Sequence, residues 1–329
     1  MKTTISWRSL LVKLAGSVII LIVLFRFIDF DRDSFLLTLK NLDIRLYTLS
    51  LTGVVLVLGI KSFRWLRIIQ ADGHTYKFSR SFGAYMASFT IGIITPGRIG
   101  EIARLYYLRQ ETEIGFLPAF KTIVSDRIFD LGVLVMLGIA GLLHYATEGL
   151  VSTYLAILAG ILIFFLFLFF GLILAKRMLL IQSLKISGML KFAEDCLGLS
   201  LGKKAPLLWL ITLLAYLVYY GAIWLIFKSV GIDLPLADIA IILSIVGLAT
   251  ILPISWAGFG TREISLVYLL SKYQIPAETA ISFSLLQFVA FFLWGSLIGL
   301  IFWLLMPISL KQIKEDGKAL HEIVRSKRT

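Results

Sequence analysis

Between residues 151 and 175 the chain carries no charged side chain, and near 9–27, 45–62, 122–145, 206–228 and 279–306 charges thin to a few among long apolar runs. Runs of this length match the roughly 18–20 apolar residues that cross a bilayer as a helix. They do not alternate with period two, as the strands of a membrane barrel do. The pattern predicts an all-α polytopic integral membrane protein with about six full spans.

Two further apolar regions, 81–108 and 236–272, are interrupted midway by "TPGRIGE" and "LPISWAGFGTRE". Loop charges say how they run. The 61–80 loop holds Lys61, Arg64, Arg67, Lys77 and Arg80, and the 176–204 loop and the tail from 307 are also rich in Lys and Arg, so all three should be cytoplasmic. The loops at 144–152 and 228–238 carry almost no basic residues and should lie outside. The region 81–108 must then enter and return on the inside, and 236–272 on the outside. Each reads as a re-entrant helical hairpin, so that units 45–145 and 206–306 form an inverted repeat, the arrangement in which transport sites sit at the repeat interface. The alternative is a mis-set span, each region being one kinked helix followed by a full one. On the first reading residues 1–306 form a single transmembrane domain and 307–329 a basic cytoplasmic tail, with both termini cytoplasmic in a cell (inner) membrane.

Composition narrows the picture further. Of 329 residues 59% are hydrophobic, above the soluble average of about 45–50%. The net charge of +12 sits between the apolar runs, where it sets orientation and meets anionic lipid, and no soluble domain is evident to present a basic face to nucleic acid. The lone Cys196 allows no intrachain disulfide, and His74, His144 and His321 lack metal-ligand spacing, so neither a metal nor a cofactor is expected. The N-terminus lacks a small-residue cleavage site and reads as a retained first helix.

The interruptions carry the candidate chemistry. Pro96 opposes helix continuation, and Gly97 and Gly100 let backbone turn and a ligand approach. A helix restarting there would aim free N–H groups and its dipole at an anion. Arg98 and Arg104 would add guanidinium groups suited to phosphate. Pro253, Gly258, Gly260 and Arg262 repeat the plan, with Glu101 and Glu263 as counter-charges or proton carriers. Irregular backbone at membrane depth needs a protein or water-filled surround, so the breaks imply a cavity. In "SDRIFD", Asp126 and Asp130 share one helix face, with Arg127 three residues before Asp130. They are either an ion-pair set pinning this helix or a route for substrate or protons. "KSFRWLRI" reads as an interfacial anchor, and residues 176–204 as a basic amphipathic helix or a plain loop. Thr95, Ser125 and Ser255 are nucleophiles without a paired base.

The ordered motifs "RW", "PGRIGEIAR", "DRIFD" and "P…AGFGTRE" resemble the lysylphosphatidylglycerol synthase transmembrane-region family over roughly residues 10–306. The resemblance implies translocation of a lipid with an anionic or aminoacylated head group, of phospholipid or polyprenyl-phosphate type. The soluble aminoacyl-transferring domain of bifunctional members is absent from this sequence, so synthase activity is not implied. Membrane lipids are the expected partners, and homo-oligomerisation stays open. An ion-coupled small-anion carrier, a membrane enzyme and an accessory subunit of lipid-linked glycan metabolism are the alternatives.

Overall fold

The computed structural model describes residues 31–94, 100–147, 187–251 and 260–306. The expected spans at 9–27 and 151–175, the tail, and the tip residues Pro96, Gly97, Arg98, Pro253 and Gly258 lie outside these. Among the described residues every regular element is helical: α1 (Arg32–Lys40), α2 (Ile44–Ala71), α3 (Phe78–Ile94), α4 (Ala103–Glu111), α5 (Phe116–Thr147), α6 (Ser187–Leu201), α7 (Ala205–Ser229), α8 (Leu236–Ile251), α9 (Thr261–Ser271), α10 (Ala277–Phe288) and α11 (Gly295–Leu305). A π-helical stretch, Val289–Trp294, joins α10 to α11 without a break. Such stretches are rare and frequent at functional sites.

Local chemistry sets the helix ends. The Asp43 carboxylate accepts from the N–H groups of Arg45 (2.9 Å) and Leu46 (3.2 Å), satisfying donors that the start of α2 would leave open. Asp31 caps α1 in the same way. Pro206 stands in the first turn of α7, where its missing N–H costs nothing. Among the described residues three helices are long and apolar enough to cross a bilayer, namely α2, α7 and the continuous Ala277–Leu305 helix. At ~1.5 Å per residue each is about 40 Å long, more than the ~30 Å hydrocarbon core.

In both interrupted regions the described helices flank residues 95–99 and 252–259, which lie outside the described residues. The helix α3 ends at Ile94, and α4 starts after a 3₁₀ turn over 100–102; α8 ends at Ile251 and α9 starts at Thr261. The helices α3 and α4 pack antiparallel. Arg80 near the start of α3 meets Glu111 at the end of α4 (3.3 Å), while Gly92 lies against Glu101 near the tip. The shorter arms have 9 and 11 residues, about 14 and 17 Å long. The segment read as amphipathic contains α6, which packs against α5 with Phe192 stacked on Phe120.

The centre of the molecule is the long antiparallel seam of α2 with α7. Asp43 N–H donates to Ser229 O (2.9 Å) at one end, and Arg64 Nη1 to Thr212 Oγ1 (3.1 Å) at the other. Between them a Cβ on Gly53 would lie 2.6 Å from Ala222 Cβ, so the backbones approach as closely as small residues allow. Around this seam α3 packs on α11 and α8 on α5. Gly53→Val should therefore wedge the seam and destabilise the protein by about 1–3 kcal/mol; a melting temperature in detergent equal to that of the wild type would contradict this geometry.

Some helices expose apolar side chains while a few charges are buried among the apolar core. Leu210, Leu213 and Leu217 of α7 and Leu297, Ile301 and Leu304 of α11 are exposed, whereas Arg64, Arg104 and Asp126 are at most 1% exposed. Apolar side chains face outward, and the charges lie inside the helix assembly.

Candidate functional site

The charges inside are zipped between α2 and α5. Lys61, Arg64 and Trp65 share a face of α2 by i, i+3 and i+4 spacing, and Thr122, Asp126 and Asp130 share a face of α5. Opposed antiparallel, they form three rungs. Trp65 Nε1 donates to Thr122 Oγ1 (3.1 Å), Arg64 Nε to Asp126 Oδ1 (2.8 Å), and Lys61 Nζ to Asp130 Oδ1 (3.0 Å). Arg64 also reaches Asp130 Oδ1 (2.9 Å) and the Asp126 carbonyl (3.1 Å). From the first hairpin, Arg104 Nη1 donates to Asp126 Oδ2 (2.8 Å), with its guanidinium over the rings of Trp65 (5.3 Å) and Tyr85 (4.9 Å). Tyr216 of α7 donates to the Asp130 carbonyl (3.2 Å), and its ring lies 5.1 Å from Lys61 Nζ.

Arg127 follows Asp126 by one residue and so leaves the α5 stripe. It pairs with Glu101 of the 3₁₀ turn, with Asp130 Oδ2 3.8 Å away, and 39% of its side chain stays exposed. Glu101 is 7% exposed and seats against Gly92, where an added Cβ would come within 2.6 Å of Glu101 Cγ. Among the described residues Lys61, Arg64, Arg104 and Arg127 thus meet three carboxylates, Glu101, Asp126 and Asp130, an excess of one positive charge.

Beside this network lies a cavity of about 170 Å³. Lys61, Arg127, Tyr219 and Gln287 line it together with Tyr85, Phe89 and Phe291. Its α2 wall runs from Val54 to Lys61, about 10 Å of helix. Phe291 and Phe292 come from the π-helical stretch, whose next residues Leu293 and Trp294 are exposed on the apolar outer surface.

At the start of α9 one backbone donor is satisfied internally. Gly260, at φ +87°, donates its N–H to Glu263 Oε2 (2.6 Å). Arg262 Nη2 meets Glu263 Oε1 (2.6 Å), and Ser284 links the two, accepting from Arg262 Nε and donating to Glu263, each at 2.7 Å. The Arg262 guanidinium lies 5.5 Å from the Phe288 ring. The Gly260 N–H that was expected to meet a ligand anion here meets an internal carboxylate instead.

Of the sequence candidates, Glu101, Arg104, Asp126, Arg127 and Asp130 come together. Arg262, Glu263 and Gly260 form a separate cluster, and Gly100 opens the 3₁₀ turn. Arg98, Pro96, Gly97, Pro253 and Gly258 are outside the described residues. The anchor reading of "KSFRWLRI" is corrected at Arg64 and Trp65, both 0% exposed, because their face of α2 turns to α5 and not to head groups. Lys61, Tyr219 and Gln287 were not foreseen. The signal for Lys61 was its i, i+3 spacing to Arg64, complementary to the Asp126–Asp130 pair. Ser125 is buried, its hydroxyl donating to the Cys196 carbonyl (3.4 Å).

The model of the lysylphosphatidylglycerol synthase transmembrane region matches residues 10–315. The chain belongs to this family. Similar proteins include two from Methanocaldococcus jannaschii. UPF0104 membrane protein MJ1595 is 24% identical over 93% of this chain and 99% of its own length. UPF0104 membrane protein MJ1078 is 23% identical over 69% of this chain and 98% of its own length. Family membership and the apolar helices make this a multi-pass membrane protein, and the buried network and its cavity are the family domain's candidate site in this chain.

Proposed function

We propose that the protein moves a lipid with an anionic or aminoacylated head group between the leaflets of the cell membrane. The observation that carries this reading is the cavity lined by Lys61 and Arg127, beside a buried network in which the described cations outnumber the described carboxylates by one, and with one wall from a π-helical stretch whose exposed residues are apolar. A head group would occupy the cavity while acyl chains stay in lipid. Glu101 holds Arg127 when no substrate is present, and an incoming phosphate would displace it. Because Glu101 sits on the broken tip, exchange of anions at Arg127 would be felt by the whole α3–α4 hairpin.

The packing supports the inverted repeat. If α2 corresponds to α7, α3 to α8, α4 to α9 and α5 to the α10–α11 helix, then the α2–α7 seam maps onto itself, and the α3–α11 contact maps onto α8–α5. The short arms α4 and α9 reach only about half of a ~30 Å core, as hairpins that return to their own side would. The termini then lie in the cytoplasm. No catalytic step is assigned; Thr95 and Ser255 lie outside the described residues.

In liposomes carrying tail-labelled phosphatidylglycerol, lysyl-phosphatidylglycerol or undecaprenyl phosphate, the protein should move at least one of them well above the rate in empty vesicles. Equal rates for all three, with active uptake of a small water-soluble anion, would replace the lipid reading with that of an anion carrier.

A further inference from the structure

The continuous Ala277–Leu305 helix is held on both sides of its π-helical stretch. Before the stretch, the Tyr47 hydroxyl of α2 donates to the Leu286 carbonyl (3.0 Å), and Phe283 stacks on Phe227 of α7 (3.8 Å). After it, the Thr90 hydroxyl of α3 donates to the Ser296 carbonyl (2.9 Å). A Cβ on Gly299 would run into the Met86 carbonyl, so α11 and α3 touch backbone to backbone there. Bonds to the backbone and close contacts thus fix α10 and α11 in rotation as well as in place.

Between these anchors, Val289–Trp294 faces two media. Phe291 and Phe292 line the cavity, while Leu293 and Trp294 are 46% and 37% exposed on the outer side of the described helices. A turn closed by i→i+5 bonds holds one residue more than an α turn, and the anchored ends do not fix where along the stretch it sits. When it slides toward α11, the residues it passes rotate by up to about 100°, the angle of one residue at 3.6 per turn. Residue order decides what that rotation does. Phe292 turns toward the outer place of Leu293, and Ala290 turns toward the wall place of Phe291, so a methyl group replaces an aromatic ring. The opposite rotation brings Leu293 to the wall and leaves it filled. Val289 meanwhile crowds the fully buried place of Ala290, which makes the filled wall the resting state.

We infer that Val289–Trp294 is a side gate between the cavity and the acyl-chain region of the bilayer, opened by a slide of its wide turn. The inference rests on the lipid-translocation reading and adds the wall through which a head group passes while its chains stay in lipid. In the resting state Phe291 packs edge-on against Tyr219 (5.0 Å) and closes the wall. Opening breaks that contact and turns Ala290 to the gap. The helix remains continuous throughout, because the wide turn is passed along it and not undone, so backbone groups stay bonded at membrane depth.

Spin labels read the wall directly. Cys196 is the chain's single cysteine, so Phe292→Cys or Leu293→Cys in a Cys196→Ser background takes one nitroxide. Oxygen, which concentrates in lipid, and a water-soluble nickel chelate then report the surroundings of each label in nanodiscs. In phosphatidylcholine the label at 292 should be less accessible to oxygen than the label at 293. Adding phosphatidylglycerol, lysyl-phosphatidylglycerol or undecaprenyl phosphate should, for at least one of them, raise the value at 292 to near that at 293. No rise with any of the three would overturn the gate. Deletion of Leu293 supplies a second measurement. It removes the surplus residue, so the stretch becomes plain α-helix while both anchored ends keep their register. The variant should melt near the wild type and move labelled lipid in liposomes no faster than empty vesicles do. A folded deletion variant that moves lipid at the wild-type rate would overturn the gate and leave translocation standing. If the deletion does not fold, the label at 292 still decides. A label that responds to lipid in a wild-type protein that moves none would keep the gate and overturn translocation.

Discussion

Arg64→Met should leave little folded protein. Arg64 binds both carboxylates of α5 and Thr212 of α7 while fully buried, so its loss strands Asp126 and Asp130 with fewer cations in the interior. Breaking a buried ion pair by removing one partner costs about 3–5 kcal/mol, a large share of the 5–15 kcal/mol that typically holds a domain folded. Arg64→Lys should rescue little, because an ammonium cannot span both carboxylates with the planar fork of a guanidinium. Arg67→Met serves as the control. Arg67 lies on the same helix, half-buried, and bonds Gln70 (3.0 Å), so its loss should stay within about 0.5 kcal/mol. Thermal unfolding in detergent measures all three. Equal melting of Arg64→Met and Arg67→Met would mean that the seam does not depend on this pairing.

The second large effect concerns rate and not stability. Arg127 is the most exposed arginine of the network and lines the cavity. Arg127→Gln should keep the melting temperature near that of the wild type and slow translocation. Loss of a charged hydrogen bond is worth about 1.5–3 kcal/mol, or about 10- to 100-fold. Glu101→Gln should act with the opposite sign on binding. It keeps the shape that seats against Gly92 but removes the carboxylate that competes for Arg127, so anionic lipid should bind roughly tenfold tighter while turnover falls because the site no longer exchanges one anion for another. Lipid binding in nanodiscs and flux in liposomes, measured on the same preparations, separate the two. Weaker binding in Glu101→Gln would show that Glu101 supports the ligand rather than standing in its place.

The site was partly legible in the sequence. Asp126 and Asp130 stood out because carboxylates in an apolar run are rare, and Glu101 and Arg104 because they follow a helix break. Arg64 was misjudged because basic and aromatic residues near the end of a span usually mark an interface, and nothing in the local sequence says which face of α2 meets another helix. Gln287 gave no signal, since an uncharged amide in a long apolar helix is not conspicuous until packing places the residue beside a cavity. At the second interruption the capping role of Glu263 depended on the turn geometry at Gly260.

Helix existence, and the positions that oppose helix continuation, followed from the sequence by itself. A run of apolar residues must satisfy its backbone internally if it is to lie in lipid, and a proline with neighbouring glycines ends a helix wherever it falls; both are local constraints. The pairing of charges was decided only by the tertiary structure. Arg64 and Asp126 are 62 residues apart, and helical spacing tells which residues share a face but not which faces oppose. That choice belongs to the close approach of Gly53 to Ala222 and to the hairpin tip that carries Glu101 to Arg127, contacts that exist only once the helices have packed.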